Sequence, residues 1–210
     1  MNKNLLSLIS VVGALALSVV PASAGILTYA TSGAWQGAGL QTGIITFESV
    51  TIPANYSSFA IPPLTFSSTL GNSLSIANDV YGPGSGKYLL NASPTNIAAD
   101  GTVFGLAFNF RCYSCDGRTA TITVVDSSGP TAFSVATTST GISNFFGIRS
   151  DLAITSVNIS FSGATPYVAL DNVAYGPGSD TPEAATLILI GTGLGIIARY
   201  RKHAIPFQPA

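Results

Sequence analysis

The only thiols in the chain are Cys112 and Cys115, in the run Arg111-Cys-Tyr-Ser-Cys-Asp-Gly-Arg118. That spacing allows three chemistries. A zinc site needs four ligands, and there is no second C-x-x-C and no histidine nearby. A thioredoxin-like redox pair sits at a helix N-terminus beside a βαβ unit, whereas this pair lies between two β-like runs. A local disulfide across a hairpin loop, formed in an oxidising compartment, is the expected reading. The only histidine, His203, is near the C-terminus, so the middle of the chain has no imidazole for nucleophilic catalysis or metal ligation. Glycoside hydrolysis needs two carboxylates at a set separation. The middle has eight acidic residues, but no pair stands out by spacing, and Asp100 and Asp116 each precede a glycine, which is turn chemistry. No catalytic residue is therefore assigned. Calcium needs clustered oxygen ligands, and no D-x-D-x-D-G loop is present. Asp171 and Asn172 are the weak candidates for a structural calcium, set against a pair satisfied at a turn or a sheet edge. Trp35, Tyr56, Tyr81, Tyr88 and Tyr113 lie in Gly/Ser-rich segments and are the candidates for stacking on sugar rings, against the commoner role of aromatics in a core.

The elements that must hold these residues are strands. From residue 25 to about 178 the hydrophobic pattern has period two. In 118–126, Ala120, Ile122 and Val124 alternate with Thr119, Thr121 and Thr123. In 153–163, Val157, Ile159 and Phe161 alternate with Ser156, Asn158 and Ser160. Further strands are expected at 26–31, 43–52, 64–69, 87–90, 102–111, 131–137, 144–149 and 167–175. Turn signals separate them, among them Asp100-Gly101, Asp116-Gly117 and Ser128-Gly129-Pro130. About ten short strands and no long amphipathic helix predict an all-β, antiparallel two-sheet sandwich, jelly-roll-like, over 25–175.

Composition narrows the function. The chain has 210 residues, 8% of them charged, and a net charge of -1. A typical domain is about a quarter charged. No basic field exists to hold nucleic acid. The mean hydropathy of +0.46 is inflated by an apolar segment near each end.

At the N-terminus, Lys3 precedes an apolar run, and Pro21-Ala22-Ser23-Ala24 supplies a small-x-small cleavage pattern. This predicts a signal peptide over 1–24, cut after Ala24, rather than an uncleaved anchor helix. At the other end, a linker (176–181) leads to Pro182 and Glu183. Residues 184–198 are then free of charge, and Arg199, Arg201 and Lys202 follow. Fifteen helical residues reach about 22 Å, short of a ~30 Å hydrocarbon core. Snorkelling basic side chains close the gap, and their position obeys the positive-inside rule. A transmembrane helix over 184–198 is expected rather than a buried core helix, with a short tail at 204–210.

Pro182, Glu183, the apolar helix and the Arg199/Arg201/Lys202 cluster, in that order, resemble the PEP-CTERM sorting signal of Gram-negative bacteria, over residues 182–203. This C-terminal module is also labelled an ice-binding protein C-terminal domain, a label that describes the tail and not ice binding. The resemblance implies an exosortase-type processing enzyme as partner. It also implies inner-membrane anchoring before processing, and then display at the cell surface or release. Pro182 and Glu183 are expected to be read by that enzyme, while the basic cluster fixes orientation. The run from Phe145 to Gly176, with Ala169-Leu-Asp-Asn-Val-Ala-Tyr-Gly at its end, is similar to the last strands of PEP-CTERM β domains and of carbohydrate-binding jelly rolls. The expected function is thus a non-enzymatic, surface-displayed β-sandwich whose partner is exopolysaccharide. The competing expectation is a secreted polysaccharide hydrolase using an Asp/Glu pair. No cofactor is expected.

Overall fold

The computed structural model describes residues 25–177 except 40, 52–55, 72, 79–81, 84–85, 93, 114–116, 138–142 and 164–166. In chain order the elements are β1 (Ile26–Tyr29), α1 (Ser32–Gly37), β2 (Gly43–Ile45), β3 (Ser58–Ile61), β4 (Leu64–Ser68), β5 (Ser75–Ala77) and β6 (Tyr88–Ala92). There follow β7 (Thr95–Ala99), β8 (Gly105–Tyr113), β9 (Thr119–Asp126), β10 (Gly129–Ala136), β11 (Asn144–Ser150), β12 (Ile154–Phe161) and β13 (Tyr167–Gly176).

The strands form two antiparallel sheets. One runs β1-β11-β8-β13-β6-β5, with β2 also paired to β13; the other runs β10-β9-β12-β7-β4-β3. The all-β, two-sheet reading holds. The alternations in the sequence become the two faces of the strands. Ala120, Ile122 and Val124 of β9 and Val157, Ile159 and Phe161 of β12 are all buried in the core. From the other sheet come Leu106, Phe108 and Phe110 of β8 and Val168, Leu170 and Val173 of β13. Each of these side chains larger than alanine contributes about 1.5–3 kcal/mol by leaving water. Aromatic contacts tie the layers together: Phe133 of β10 meets Phe146 of β11 at 5.7 Å, and Phe110 meets Phe161 at 6.3 Å.

Several expected bounds shift. The strand expected over 43–52 stops at Ile45, because Phe47 adopts φ 60° and turns its ring into the core. Three short strands, β3, β5 and β7, appear where none was expected. Residues 129 and 130, expected in a turn, open β10, an edge strand, where proline is tolerated. The Asp100-Gly101 turn forms as expected. Gly101 has φ 89°, and Asp100 Oδ1 accepts from the backbone N–H and the hydroxyl of Thr102 at 3.0 and 2.6 Å.

Among the described residues no helix is long and apolar enough to cross a membrane. The signal peptide with Ala24 and the segment containing Pro182, Glu183, the 184–198 helix, Arg199, Arg201 and Lys202 lie outside the described residues.

Candidate functional site

On β8, Leu106, Phe108 and Phe110 point into the inter-sheet core. Alternation therefore puts Ala107, Asn109 and Arg111 on the opposite, outer face of the seven-stranded sheet. The register extends that face sideways. Tyr29, Gly147, Ala107, Ala174 and Ile44 are successive partners across β1, β11, β8, β13 and β2. One row further, Phe145, Asn109 and Asp171 are partners across β11, β8 and β13.

The centre of the first row is small: Gly147, Ala107 and Ala174. Helix α1 uses that space. Its sequence, SGAWQG, has two glycines and weak helix propensity. What holds it is the Thr31 cap, whose hydroxyl accepts from the N–H of Ala34 at 3.3 Å, and the burial of Trp35. The indole is 1% exposed and packs with Ala107 and Ala174. Its Nε1–H donates to the carbonyl of Ile148 at 3.4 Å.

Next to the indole the outer face opens into a cleft of about 230 Å³. Ser32, Trp35 and Gln36 come from α1, and Gln41 and Ile44 from the segment that leads into β2. Asn109, Phe145, Asn172 and Ala174 form its floor. Gln41 is held in place because the next residue, Thr42, donates both its N–H and its hydroxyl to the carbonyl of Tyr175, at 2.9 and 3.1 Å. Among the described residues the lining offers four carboxamides, one hydroxyl, two aromatic rings and no charged group.

Asn172 reaches this cleft through a bulge. Asp171 pairs with Asn109 and Ala174 with Ala107, so β13 spends one residue more than β8 over the same stretch. The irregular residue is Asn172, at φ 50°. Here β13 also changes neighbour: β6 pairs up to Leu170, and β2 pairs from Val173. Asp171 Oδ1 accepts from the backbone N–H of Asn172 at 2.7 Å, and Oδ2 accepts from its side-chain Nδ2 at 3.2 Å.

Asp171 is 2% exposed. Burial pushes its carboxyl up, the hydrogen bond from the Asn172 N–H opposes this, and the negative charge of Glu48 adds to the rise. The result is a pKa of about 6. Glu48 Oε1 in turn accepts from the N–H of Lys87 at 3.0 Å.

Of the residues singled out in the sequence, Asp171 and Asn172 are thus at neither a turn nor a sheet edge. They sit at a bulge in a central strand and satisfy one another. Among the described residues no cluster of three or more His, Cys, Asp or Glu gathers to hold a metal. Cys112 is buried in β8, and Cys115 lies outside the described residues. Trp35 and Tyr88 are buried, at 1% each, so neither is an exposed stacking platform. Tyr56 is exposed but bridges to Leu74, away from the cleft. Tyr81 and the side chain of Tyr113 lie outside the described residues.

Sequence reasoning does not single out Asn109, Phe145, Gln36 or Gln41 as site residues. Asn109 carried one signal: it is the single amide in Leu106-Ala-Phe-Asn-Phe110, on the face opposite the phenylalanines.

No protein-family model matches the chain, and no curated protein matches it. Among solved structures it is similar to an exo-β-agarase, at 14% identity and TM-score 0.40, over 68% of this chain and 25% of that one. A second is the CBM22-1–GH10 modules of endo-1,4-β-D-xylanase 10B from Clostridium thermocellum, complexed with xylohexaose. There the identity is 14% and the TM-score 0.40, over 69% of this chain and 30% of that one. A third is the enzymatically active domain of tailspike protein 4 of bacteriophage CBA120, at 16% identity and TM-score 0.35, over 63% of this chain and 20% of that one. The chain thus spans less than a third of the length of each.

Proposed function

We propose that this is an exported, non-enzymatic β-sandwich protein that binds polysaccharide in the cleft on the outer face of its seven-stranded sheet. The observation that carries the reading is the lining itself. Asn and Gln side chains each offer donors and acceptors, which suits the alternating hydroxyls and ring oxygens of a sugar. Phe145, half-buried on the floor, offers an apolar surface for a ring face. A few polar groups on a largely apolar concavity is the usual make-up of a small-ligand site. The repeated crossing of the chain between sheets from β7 to β13 supports the jelly-roll-like description.

Binding without hydrolysis is preferred because the described lining residues include no carboxylate. Asp171, not among those lining residues, has both oxygens engaged by Asn172. Export through a signal peptide cut after Ala24, and sorting through Pro182, Glu183 and the basic cluster by an exosortase-type enzyme, rest on the sequence pattern. They put the sandwich at the cell surface or outside the cell, where exopolysaccharide is the available polymer.

The test is a glycan array probed with the full-length chain, wild type and Asn109→Ala. Polysaccharide or oligosaccharide hits that weaken about tenfold in the variant support the reading, the loss expected when a polar partner is removed from a bound sugar. An array without hits, or hits indifferent to Asn109, would sink it. Reducing ends released from a bound glycan would favour the hydrolase instead.

A further inference from the structure

We infer that the pairing of Asp171 with Asn172 makes the cleft selective for uncharged saccharides over uronate-containing or sulfated ones. The inference rests on the carbohydrate reading of the cleft and specifies its ligand.

The first ground is donor and acceptor count. Asp171 takes the backbone N–H of Asn172 and one N–H of its side-chain amide. That leaves the Asn172 amide its carbonyl oxygen and one N–H. The oxygen, fixed by the bulge, seeks a donor. A sugar hydroxyl supplies a proton to it; an ionised carboxylate or sulfate has none to give.

The second ground is charge. A bound anion needs a cation or several convergent N–H groups to replace its water. The described lining has no cation. The basic residues that alternation puts on this face, Arg111 and Arg149, are not among the lining residues. Lys87 directs its Nζ to the carbonyl of Val50 at 3.5 Å, and its backbone N–H to Glu48. Next to Asn172 stands the carboxyl of Asp171, hydrogen-bonded to it, and the negative charge of Glu48 acts on that same carboxyl. An anionic ligand meets repulsion that no described lining residue offsets, and specificity of this kind comes from the repulsive element.

Matched probes test this with the full-length chain: galactan, glucan and xylan oligosaccharides against oligogalacturonate and a sulfated galactan of similar length. Neutral ligands should bind at least about tenfold tighter, a difference of ~1.4 kcal/mol. Asn172→Ala should weaken neutral binding about tenfold. Asp171→Asn, which removes the nearest negative charge, should narrow the neutral-to-acidic affinity ratio several-fold; an unchanged ratio overturns the selectivity. Raising salt from about 20 to about 500 mM should strengthen acidic binding by the wild type, because repulsion is screened; this arm does not depend on any variant folding. Tighter binding of the acidic probes, or acidic binding that salt weakens, overturns the selectivity while leaving the cleft a sugar site. Neutral binding indifferent to Asn172 overturns it too. Failure of every probe to bind overturns the carbohydrate reading itself.

Discussion

A Cβ built on Gly147 would lie 2.7 Å from Cδ1 of Trp35. The contact is closer than any side chain tolerates, so the helix carrying Trp35 seats on β11 only because position 147 lacks a side chain. The two residues are 112 positions apart in the chain, and their fit sets one wall of the cleft.

Gly147→Ala should therefore lift the indole from the sheet. Overpacking of this kind costs about 1–3 kcal/mol. Trp35 is the only tryptophan, so intrinsic fluorescence reports on it directly. The emission should shift to the red as the ring gains solvent, and chemical denaturation should show the loss of stability. Unchanged emission with wild-type stability would mean that helix α1 is not seated on Gly147.

Asp171 gives a pH dependence of defined sign. Its folded pKa of about 6 lies above the ordinary carboxyl value of 3.8. The native state then holds a proton that the unfolded state has released, so stability falls as pH rises between about 4 and about 6. Above that window the cost of the buried charge is fully present. Asp171→Asn should flatten this slope and leave the variant the more stable protein at neutral pH. Melting temperatures across pH 4 to 7 decide it, and a slope retained in the variant would assign the titration to another group.

Much of this architecture is legible in the sequence. The Thr/Ile/Val alternation of β9 and the Ser/Val/Ile alternation of β12 gave both strands and their buried faces. Asp100-Gly101 gave a turn. The failures have local causes. Thr95–Ala99 reads TNIAA, too rich in alanine and asparagine for a strand signal, and pairs between β12 and β4 on the strength of its neighbours. Residues 32–37 show no helical period, since one buried tryptophan does the holding. Trp35 is, from the sequence, a candidate either for stacking on a sugar or for a core, and the structure buries it. The cleft is not legible as a unit, because its residues come from five segments that only the fold brings together.

Asp126 is a second buried carboxylate, with the opposite balance. Burial pushes its carboxyl up, but the hydroxyls of Ser128 and Ser150 and the N–H groups of Ser128 and Gly129 outweigh it and hold it below its ordinary value. The Ser150 bond, at 2.8 Å, joins the β9–β10 hairpin to the opposite sheet. Asp126→Ala leaves these donors without their acceptor and should cost about 2–3 kcal/mol. Because the folded pKa is lowered, the stabilisation is present above pH 4 and is lost on further acidification. Urea unfolding at pH 7 and pH 3 measures both; a variant equal to wild type at pH 7 would show that the network carries no stability.

Cys112 and Cys115 should be joined in the exported protein. Alkylation without reductant should then label neither residue, and alkylation after reduction should label both. The loop is very short, so the chain-entropy gain is below the ~3 kcal/mol of a 15-residue loop. Cys112→Ser/Cys115→Ser should lower stability only modestly, by about 1 kcal/mol. Free thiols in native exported protein, or stoichiometric zinc, would exclude the disulfide.

The sorting motif yields the sharpest cellular prediction. Pro182 lacks an N–H, which the first turn of a helix does not need. Glu183 would then sit where the helix N-terminus favours a carboxylate by about 0.3–1 kcal/mol. Together they would form a rigid, charged edge at the outer face of the 184–198 helix, readable by a membrane-embedded enzyme without unwinding that helix. Arg199, Arg201 and Lys202 would set orientation only. Pro182→Ala/Glu183→Ala should leave export and membrane insertion intact and abolish C-terminal processing. An immunoblot of membrane and released fractions, in a host that carries an exosortase, reads the outcome. If the double variant is processed to the same extent as the wild type, Pro182 and Glu183 only start a helix and the recognition lies elsewhere.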